Sequence, residues 1–422
     1  NGLNCIRFYT DGMQSATSQR KKYLCANFMN SSLSSKMTTK IQYTLPGQEF
    51  WKDYSELWED AVARSPFISP NNLRGLADIF KDELAIFQCY MNKKLVGAIL
   101  LRNERGVRRL LSDIKADHNY FILRKNLSCT EKQHFFQSFF RVVKREKWTL
   151  MLKNKPAWAP YMDQFLEEIK SSGLLWEISD HTVCKVLEEA SPEALHQHFQ
   201  QSRELRYRVN RLVNQQGAVF EVLTGDECLE EWIQGFCEMH IKRWEGTPNP
   251  SKYLLEKNRE ILRSCLQAWI KDGTLARFSV LIDGRRIGYV ICLVDGNKLI
   301  HHSTTYDAEY RKYSPGKALL LYISEWMTER GLNCLDFGEG AESYKDEFTN
   351  KELILNRVFI SGQRNYLFFV KNKVKKNLRK NLSKNQTMRK LIRSNSSIIH
   401  KIVKIFLPGL IGIVDLVDGI IL

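Results

Sequence analysis

The chain has 422 residues, 43% hydrophobic and 26% charged, which suits two folded domains of ordinary size and excludes a fibrous or wholly disordered polymer. Its formal charge of +16 is unevenly spread: residues 1–36 hold five Lys/Arg against one Asp, and residues 371–422 hold twelve against two. What lies between is close to neutral at +2, which disfavours a general nucleic-acid binder, whose folded surface would itself be basic.

Residues 1–36 contain no apolar stretch of the kind a secretory signal needs and no clear period, so a disordered arm or extension is expected there. Ten cysteines are scattered through the chain without a C-x-x-C or a Cys/His cluster at zinc spacing. No metal is predicted, and free thiols in a reducing cytoplasm are expected. From residue 50 to 65 the apolar positions Phe50, Trp51, Tyr54, Leu57, Trp58 and Ala61 recur at helical spacing until Pro66. A short helix over residues 71–81 leads into a hairpin that begins at Leu84 and turns at Asn92-Lys93.

That hairpin returns 191 residues later. Leu84, Ala85, Phe87 and Gly97 match Leu275, Ala276, Phe278 and Gly288 without a gap. Each hairpin is followed by a helix and a strand, residues 131–147 with 148–152 and residues 316–331 with 332–337. Two elements recurring in order at nearly equal offset predict a duplicated α/β (α+β) unit, with residues 37–190 as the first copy and 191–370 as the second. Between the hairpins, residues 191–217 read as one helix rich in Arg203, Arg206, Arg208 and Arg211. A solvated face and a contact with a phosphate-bearing partner are both open for it. Amphipathic helices over residues 227–244 and 253–270 follow, separated by the breaker at residues 246–250.

After the second hairpin a strand over residues 296–305 meets a polar break at Ser314-Pro315-Gly316. A helix then places Leu319, Leu320, Ile323 and Met327 on one face and ends at Gly331. The start of such a helix offers free N–H groups and the positive end of its dipole, and Lys317 adds a full charge. That is a ready place for a pyrophosphate; a turn that binds nothing is the competing reading. At the far end, residues 371–393 hold ten Lys/Arg and no acid, and the apolar run beyond is broken by Lys401, Lys404, Pro408-Gly409, Asp415 and Asp418. A spanning helix wants ~20 uninterrupted apolar residues. The alternatives are an interfacial segment on an anionic membrane surface and a basic helix that docks back or stays disordered.

The run Arg311-Lys312-Tyr313-Ser314-Pro315-Gly316-Lys317-Ala318, followed by Asp336-Phe337-Gly338 and Tyr344-Lys345, resembles the CelD-type acetyltransferase domain of the GNAT superfamily. That family is associated with exopolysaccharide and cellulose biosynthesis and is similar to the FemAB aminoacyl transferases. The resemblance implies tandem GNAT-like domains, each a mixed, mostly antiparallel sheet flanked by helices. The second would bind acyl-CoA (acetyl-CoA), and the first would be a degenerate partner shaping the acceptor cleft. The family loop R/Q-x-x-G-x-G/A falls on Arg311, Ser314, Gly316, Lys317 and Ala318, with Ser314 in place of the first Gly. Residues 239–244 resemble the helix before the hairpin in such domains, so His240, Arg243 and Trp244, with Lys345, are candidate acceptor-binding residues.

Acyl transfer from a thioester needs an amine or hydroxyl nucleophile, a group to take its proton and N–H donors to polarise the carbonyl. The candidates are Asp336 and Glu339 just after the second strand, His302 as the alternative base, and Tyr344. An Asp336 that only fastens the glycine turn behind it is equally open. The function implied is N- or O-acetyl transfer to a sugar or an envelope or exopolysaccharide precursor, without a metal. It would be cytoplasmic, with the tail placing it on the inner face of the cell membrane. Two other readings stand beside it: a FemAB-like transferase dependent on aminoacyl-tRNA, and a catalytically silent scaffold of polysaccharide synthesis.

Overall fold

The computed structural model describes residues 37–340 and 342–362. The expectations for the N-terminal arm and the basic tail fall outside these residues. The first half runs β1 (Met37–Gln42), α1 (Gln48–Glu59), α2 (Pro70–Ile79), β2 (Leu84–Met91), β3 (Lys94–Glu104), β4 (Val107–Leu110), β5 (Ile122–Leu123), α3 (Cys129–Arg145), β6 (Thr149–Pro156), α4 (Met162–Ser171) and β7 (Leu175–Glu188). The second runs α5 (Pro192–Gln201), α6 (Arg203–Gln216), β8 (Val219–Leu223), α7 (Leu229–Trp244), α8 (Glu256–Lys271), β9 (Leu275–Ile282), β10 (Arg285–Asp295), β11 (Lys298–Tyr306), α9 (Pro315–Glu329), β12 (Cys334–Glu339) and β13 (Lys351–Ser361).

Local chemistry sets the helix starts. Ser128 accepts from the Glu131 N–H while the Glu131 carboxylate accepts from the Ser128 N–H, a reciprocal cap that opens α3. Helix α3 then buries Phe135, Phe136, Phe139 and Phe140 on one face. Helix α9 starts on Pro315, where the missing N–H costs nothing, and buries the Leu319, Leu320, Ile323 and Met327 stripe its spacing predicts. The Arg-rich stretch expected to be one helix is two. Ser202 adopts an extended conformation and its hydroxyl accepts from the Leu205 N–H, so it ends α5 and caps α6. Strands β7 and β13 have no counterpart in the sequence reading, because much of β7 is only half-buried and its polar residues blur the alternation.

Among the described residues the strands join in one sheet of order β1-β2-β3-β4-β6-β13-β7-β12-β11-β10-β9-β8, with β5 added beside β3. Read from either edge inwards, the order repeats: β1, β2, β3, β4, β6 on one side and β8, β9, β10, β11, β12 on the other. Only β4·β6 and β11·β12 pair in parallel, each across a helix, α3 or α9. The last strands cross over. Strand β7 of the first copy pairs with β12 of the second, and β13 of the second pairs with β6 of the first. The two crossed strands pair with each other from Lys351–Val186 to Ser361–Leu175 and fuse the copies into one sheet.

The repeated hairpins occupy equivalent registers. Leu84 faces Arg102 as Leu275 faces Leu293, and a bulge skips Val96 in one and Ile287 in the other. Both turns use two residues with positive φ, Asn92 and Lys93 (51° and 63°) and Asp283 and Gly284 (50° and 75°), which suits a tight hairpin. Gly97 and Gly288 then sit at one position, each facing the helix that follows. A Cβ on Gly97 would come within 2.4 Å of the Phe135 ring, and one on Gly288 within 3.2 Å of Pro315 Cβ. One apolar core lies among α1, α2, α3, α7 and α8, and a second lies between β8–β12 and α5, α6 and α9. No helix among the described residues is long and apolar enough to cross a membrane.

These two glycines give unequal expectations. Phe135 is fully buried and cannot move aside, so Gly97→Ala should cost about 1–3 kcal/mol through overpacking. Gly288→Ala meets a looser contact and gains from a stiffer unfolded chain, so its cost should stay under about 1 kcal/mol. Urea unfolding of the two variants checks this, and equal costs would remove the stated cause.

Candidate active site

Strands β11 and β12 start as partners and then part. They pair at Lys298–Cys334, Leu299–Leu335 and Ile300–Asp336. Beyond that β11 stays on β10 as far as Tyr306 and Gly288, while β12 follows β7. The strand edge from His301 onward therefore has no strand partner on the β12 side. The first copy has no such opening, because β4 stops at Leu110 and the chain makes an excursion before β5 resumes beside Gly97. The excursion, residues 115–121, is buried throughout and enters the gap of the second copy.

Asp117 is the excursion's point of contact. Its Oδ2 lies 2.6 Å from His302 Nδ1, and its Oδ1 accepts from the Glu339 N–H at 3.3 Å. Burial alone would raise the Asp117 carboxyl, but His302 beside it and the hydrogen bonds hold it below the ordinary value. Facing a carboxylate, Nδ1 is the donor of this pair, and Nε2 is the nitrogen turned away from it. The ring stands between Phe67 and Trp269, with centroids 5.3 and 5.6 Å away.

The next residue, His118, puts Nε2 at 3.1 Å from Cys184 Sγ and 3.3 Å from Asp336 Oδ2. Asp336 is 1% exposed, and its other oxygen accepts from the Gly338 N–H at 2.9 Å. Asp336 thus fastens the glycine turn and meets the excursion. Glu339 is more open: its carboxylate accepts from Asn154 Nδ2 at 2.7 Å, with His181 3.6 Å away. Lys345 is buried and ties the same turn through the carbonyls of Glu339 and Gly340 and the Glu342 carboxylate. Burial raises the Tyr344 hydroxyl to about 12, so it stays a neutral donor.

At the other end of β11 lies the turn into α9. Ser314 takes the left-handed conformation (φ 52°, ψ 60°), so it occupies the backbone state that glycine would fill most easily. Its hydroxyl is held by Arg208, and Arg211 lies 4.8 Å over the Tyr313 ring, so the Arg-rich helix α6 packs on this turn. Arg311 is exposed, Ala318 is buried, and Lys317 pairs with Glu347 at 2.7 Å and Glu204 at 3.4 Å. A Cβ on Gly316 would lie 3.5 Å from Thr304 Oγ1, which is buried without a hydrogen-bond partner among the described residues. Two residues along β11, about 7 Å at strand rise, bring this point to His302.

The remaining candidates gather on α7. Arg243 lies 4.0 Å over the Tyr306 ring and 3.4 Å from the Thr304 carbonyl, and burial lowers its guanidinium. His240 meets Ser251 at 2.8 Å and stacks with Trp244, and burial takes it down to about 4. The structure brings His302, Asp336 and Glu339 together, places the Arg311–Ala318 turn along the same strand, and sets Arg243 between them. Sequence reasoning missed Asp117, His118, Cys184 and Asn154, which come from the first copy and the crossing strand. The unusual polar string Lys115-Ala116-Asp117-His118-Asn119 before an aromatic pair was the available signal.

His301, 5% exposed, is pushed by burial down to about 4. Between about pH 6.5 and pH 4 the unfolded chain binds a proton there that the folded chain refuses, so stability falls as pH drops through that window. From pH 7 to pH 5 the loss should be on the order of 1–2 kcal/mol and absent in His301→Asn. Urea unfolding of both proteins at both pH values measures the difference.

A family model described as an acetyltransferase (GNAT) domain matches residues 200–346. No curated protein sequence matches the chain. Among solved structures, FemX is 11% identical over 75% of this chain and 98% of that one, with a TM-score of 0.54, which shows a common fold. The C-terminal domain (DUF2156) of a putative lysylphosphatidylglycerol synthetase from Agrobacterium fabrum is 12% identical over 74% of this chain and 92% of that one, TM-score 0.49. A tandem GNAT protein from the clavulanic acid biosynthesis pathway is 11% identical over 78% of this chain and all of that one (100%), TM-score 0.45. Residues 200–346, which hold the opened strand pair and the turn into α9, are thus the part of the chain that is similar to a GNAT acetyltransferase domain.

Proposed function

We propose that this protein moves an acetyl or other acyl group from acyl-CoA to an amine or hydroxyl of a sugar or of an envelope or exopolysaccharide precursor. The observation that carries the reading is the opened β11–β12 edge, with Asp117 and His302 at one end and the turn into α9 at the other. The unpartnered Thr304 hydroxyl and the side-chain-free Gly316 between them fit a polar, extended donor chain. Acyl-CoA would supply the activated thioester carbonyl. Arg208, Arg311 and Lys317 would meet its phosphates, with Lys317 giving up its pairing to Glu347.

Asp117 fixes the His302 tautomer, and Nε2 takes the proton of the attacking amine or hydroxyl as the bond to the carbonyl carbon forms. Free N–H groups on the opened edge of β11 would stabilise the oxyanion, and the thiolate of CoA leaves with a proton from the medium or from His302. Asp336, buried with both oxygens engaged, serves the architecture in this scheme. Arg243 presents a cation at the strand end, and the stacked His240 and Trp244 rings on the same helix add aromatic faces, a set suited to a sugar bearing polar or anionic groups. The sugar acceptor and the envelope pathway rest on the CelD-type resemblance of the Arg311–Ala318 run. The basic residues 371–393 would hold the protein at an anionic membrane face, each contributing about 1 kcal/mol near the surface.

Calorimetry with CoA and acetyl-CoA tests the donor. Gly316→Glu places a carboxylate against the phosphates and should abolish binding in a folded protein, whereas unchanged affinity would remove the phosphate assignment. His302→Gln should bind CoA normally and lose about 10²–10⁴-fold in turnover with KM little changed. Deleting residues 371–422 should leave turnover intact and release the protein from phosphatidylserine vesicles in a sedimentation assay.

A further inference from the structure

The side chains of His118, Cys184 and Asp336 converge in the interior, 0%, 0% and 1% exposed. They come from three separate elements: the excursion of the first copy, the crossing strand β7, and β12. Their ligand-type atoms all lie within 4.8 Å of one another. His118 Nε2 faces the sulfur at 3.1 Å and the carboxylate oxygen at 3.3 Å. The N···O separation matches the ~3.3 Å edge of a tetrahedron centred about 2.0 Å from both atoms, and the N···S separation is a few tenths of an ångström shorter than the ~3.5 Å such an edge would have.

Protons alone satisfy this cluster poorly. If Nε2 carries a hydrogen, it can be given fully to only one of the two acceptors. If Nε2 is bare, it can accept from the Cys184 thiol, but its lone pair then opposes that of Asp336 Oδ2. The ring makes no other hydrogen bond, since Nδ1 has no partner among the described residues, so every polar interaction of this buried imidazole passes through Nε2. Asp336 is already arranged as a ligand: Oδ1 is occupied by the Gly338 N–H, which leaves Oδ2 aimed inwards.

We infer that His118 Nε2, Cys184 Sγ and Asp336 Oδ2 form a binding site for a zinc-type divalent cation that pins the first copy's excursion to the second copy's strand. A thiolate, an imidazole and a carboxylate are a donor set for zinc rather than for magnesium or calcium. Two negative ligands balance the ion, and the thiol proton is released on binding. The site is buried and structural, and it stands apart from the acyl-transfer reading. It acts on the adjoining Asp117 only by holding residues 115–121 in place.

The test uses the full chain, purified without chelator or a polyhistidine tag, with zinc measured by mass spectrometry. Stoichiometric zinc is expected, rising thermal stability on adding zinc to the stripped protein, and a thiolate-to-cobalt charge-transfer band when cobalt(II) replaces it. Cys184→Ser should lose the band, and His118→Asn and Asp336→Asn should weaken cobalt binding by at least about tenfold. A stripped wild-type protein that takes up no cobalt and gains no stability from zinc would overturn the inference without any variant. An undiminished band in Cys184→Ser would overturn it equally, by placing the metal elsewhere. Neither result depends on whether CoA binds.

Discussion

The crossing of the last strands is the constraint from which the rest of the structure follows. Because β7 pairs with β12 and β13 with β6, neither copy can complete its sheet alone. The backbone donors and acceptors of both inner edges are satisfied only when the two copies are together, and leaving such a row unpaired would be costly. The same crossing fixes the distance between the copies, so that residues 115–121 reach the place where β11 and β12 part. A buried carboxylate there is tolerable only because His302 and the Glu339 N–H receive it.

The two copies differ in how their strands end. The second keeps a long β11, an opened edge and a helix that starts under a tight turn. In the first, β4 ends at Leu110 and the residues that follow make an excursion into the second copy. The interior around that excursion is rich in charge. Lys155 lies fully buried over the Phe121 ring, 3.4 Å from its centroid, and burial lowers its ammonium well below the usual range. Lys115 is lowered by burial as well and donates to the Tyr253 hydroxyl at 2.8 Å. Such groups stabilise little by themselves.

At the turn into α9 the backbone matters more than the residue type. The GNAT loop that this turn resembles has a glycine where this chain has Ser314, and Ser314 nonetheless adopts the left-handed conformation. A short polar side chain pays a modest strain there, and its hydroxyl compensates by meeting Arg208 from α6. Arg208 and Arg211 of that helix thus have a local purpose that a count of charges along the sequence leaves open.

The sequence by itself determined the duplicated hairpins, the helix α9 with its apolar stripe, and the turn at Ser314-Pro315-Gly316, all of which follow from spacing within a few turns of chain. His302, Asp336 and Glu339 were legible as candidates because they lie within one strand–helix–strand unit. Only the tertiary structure decided their company and therefore what each can do: His302 gains an oriented carboxylate, while Asp336 is sealed in the interior. Asp117, His118 and Cys184 belong to the other copy and to the crossing strand, and Cys184 stands 66 residues from His118. No periodicity or local motif records such a meeting. Pairing between distant strands is decided by which unsatisfied edges remain once local elements have formed, and that is settled only in the folded sheet.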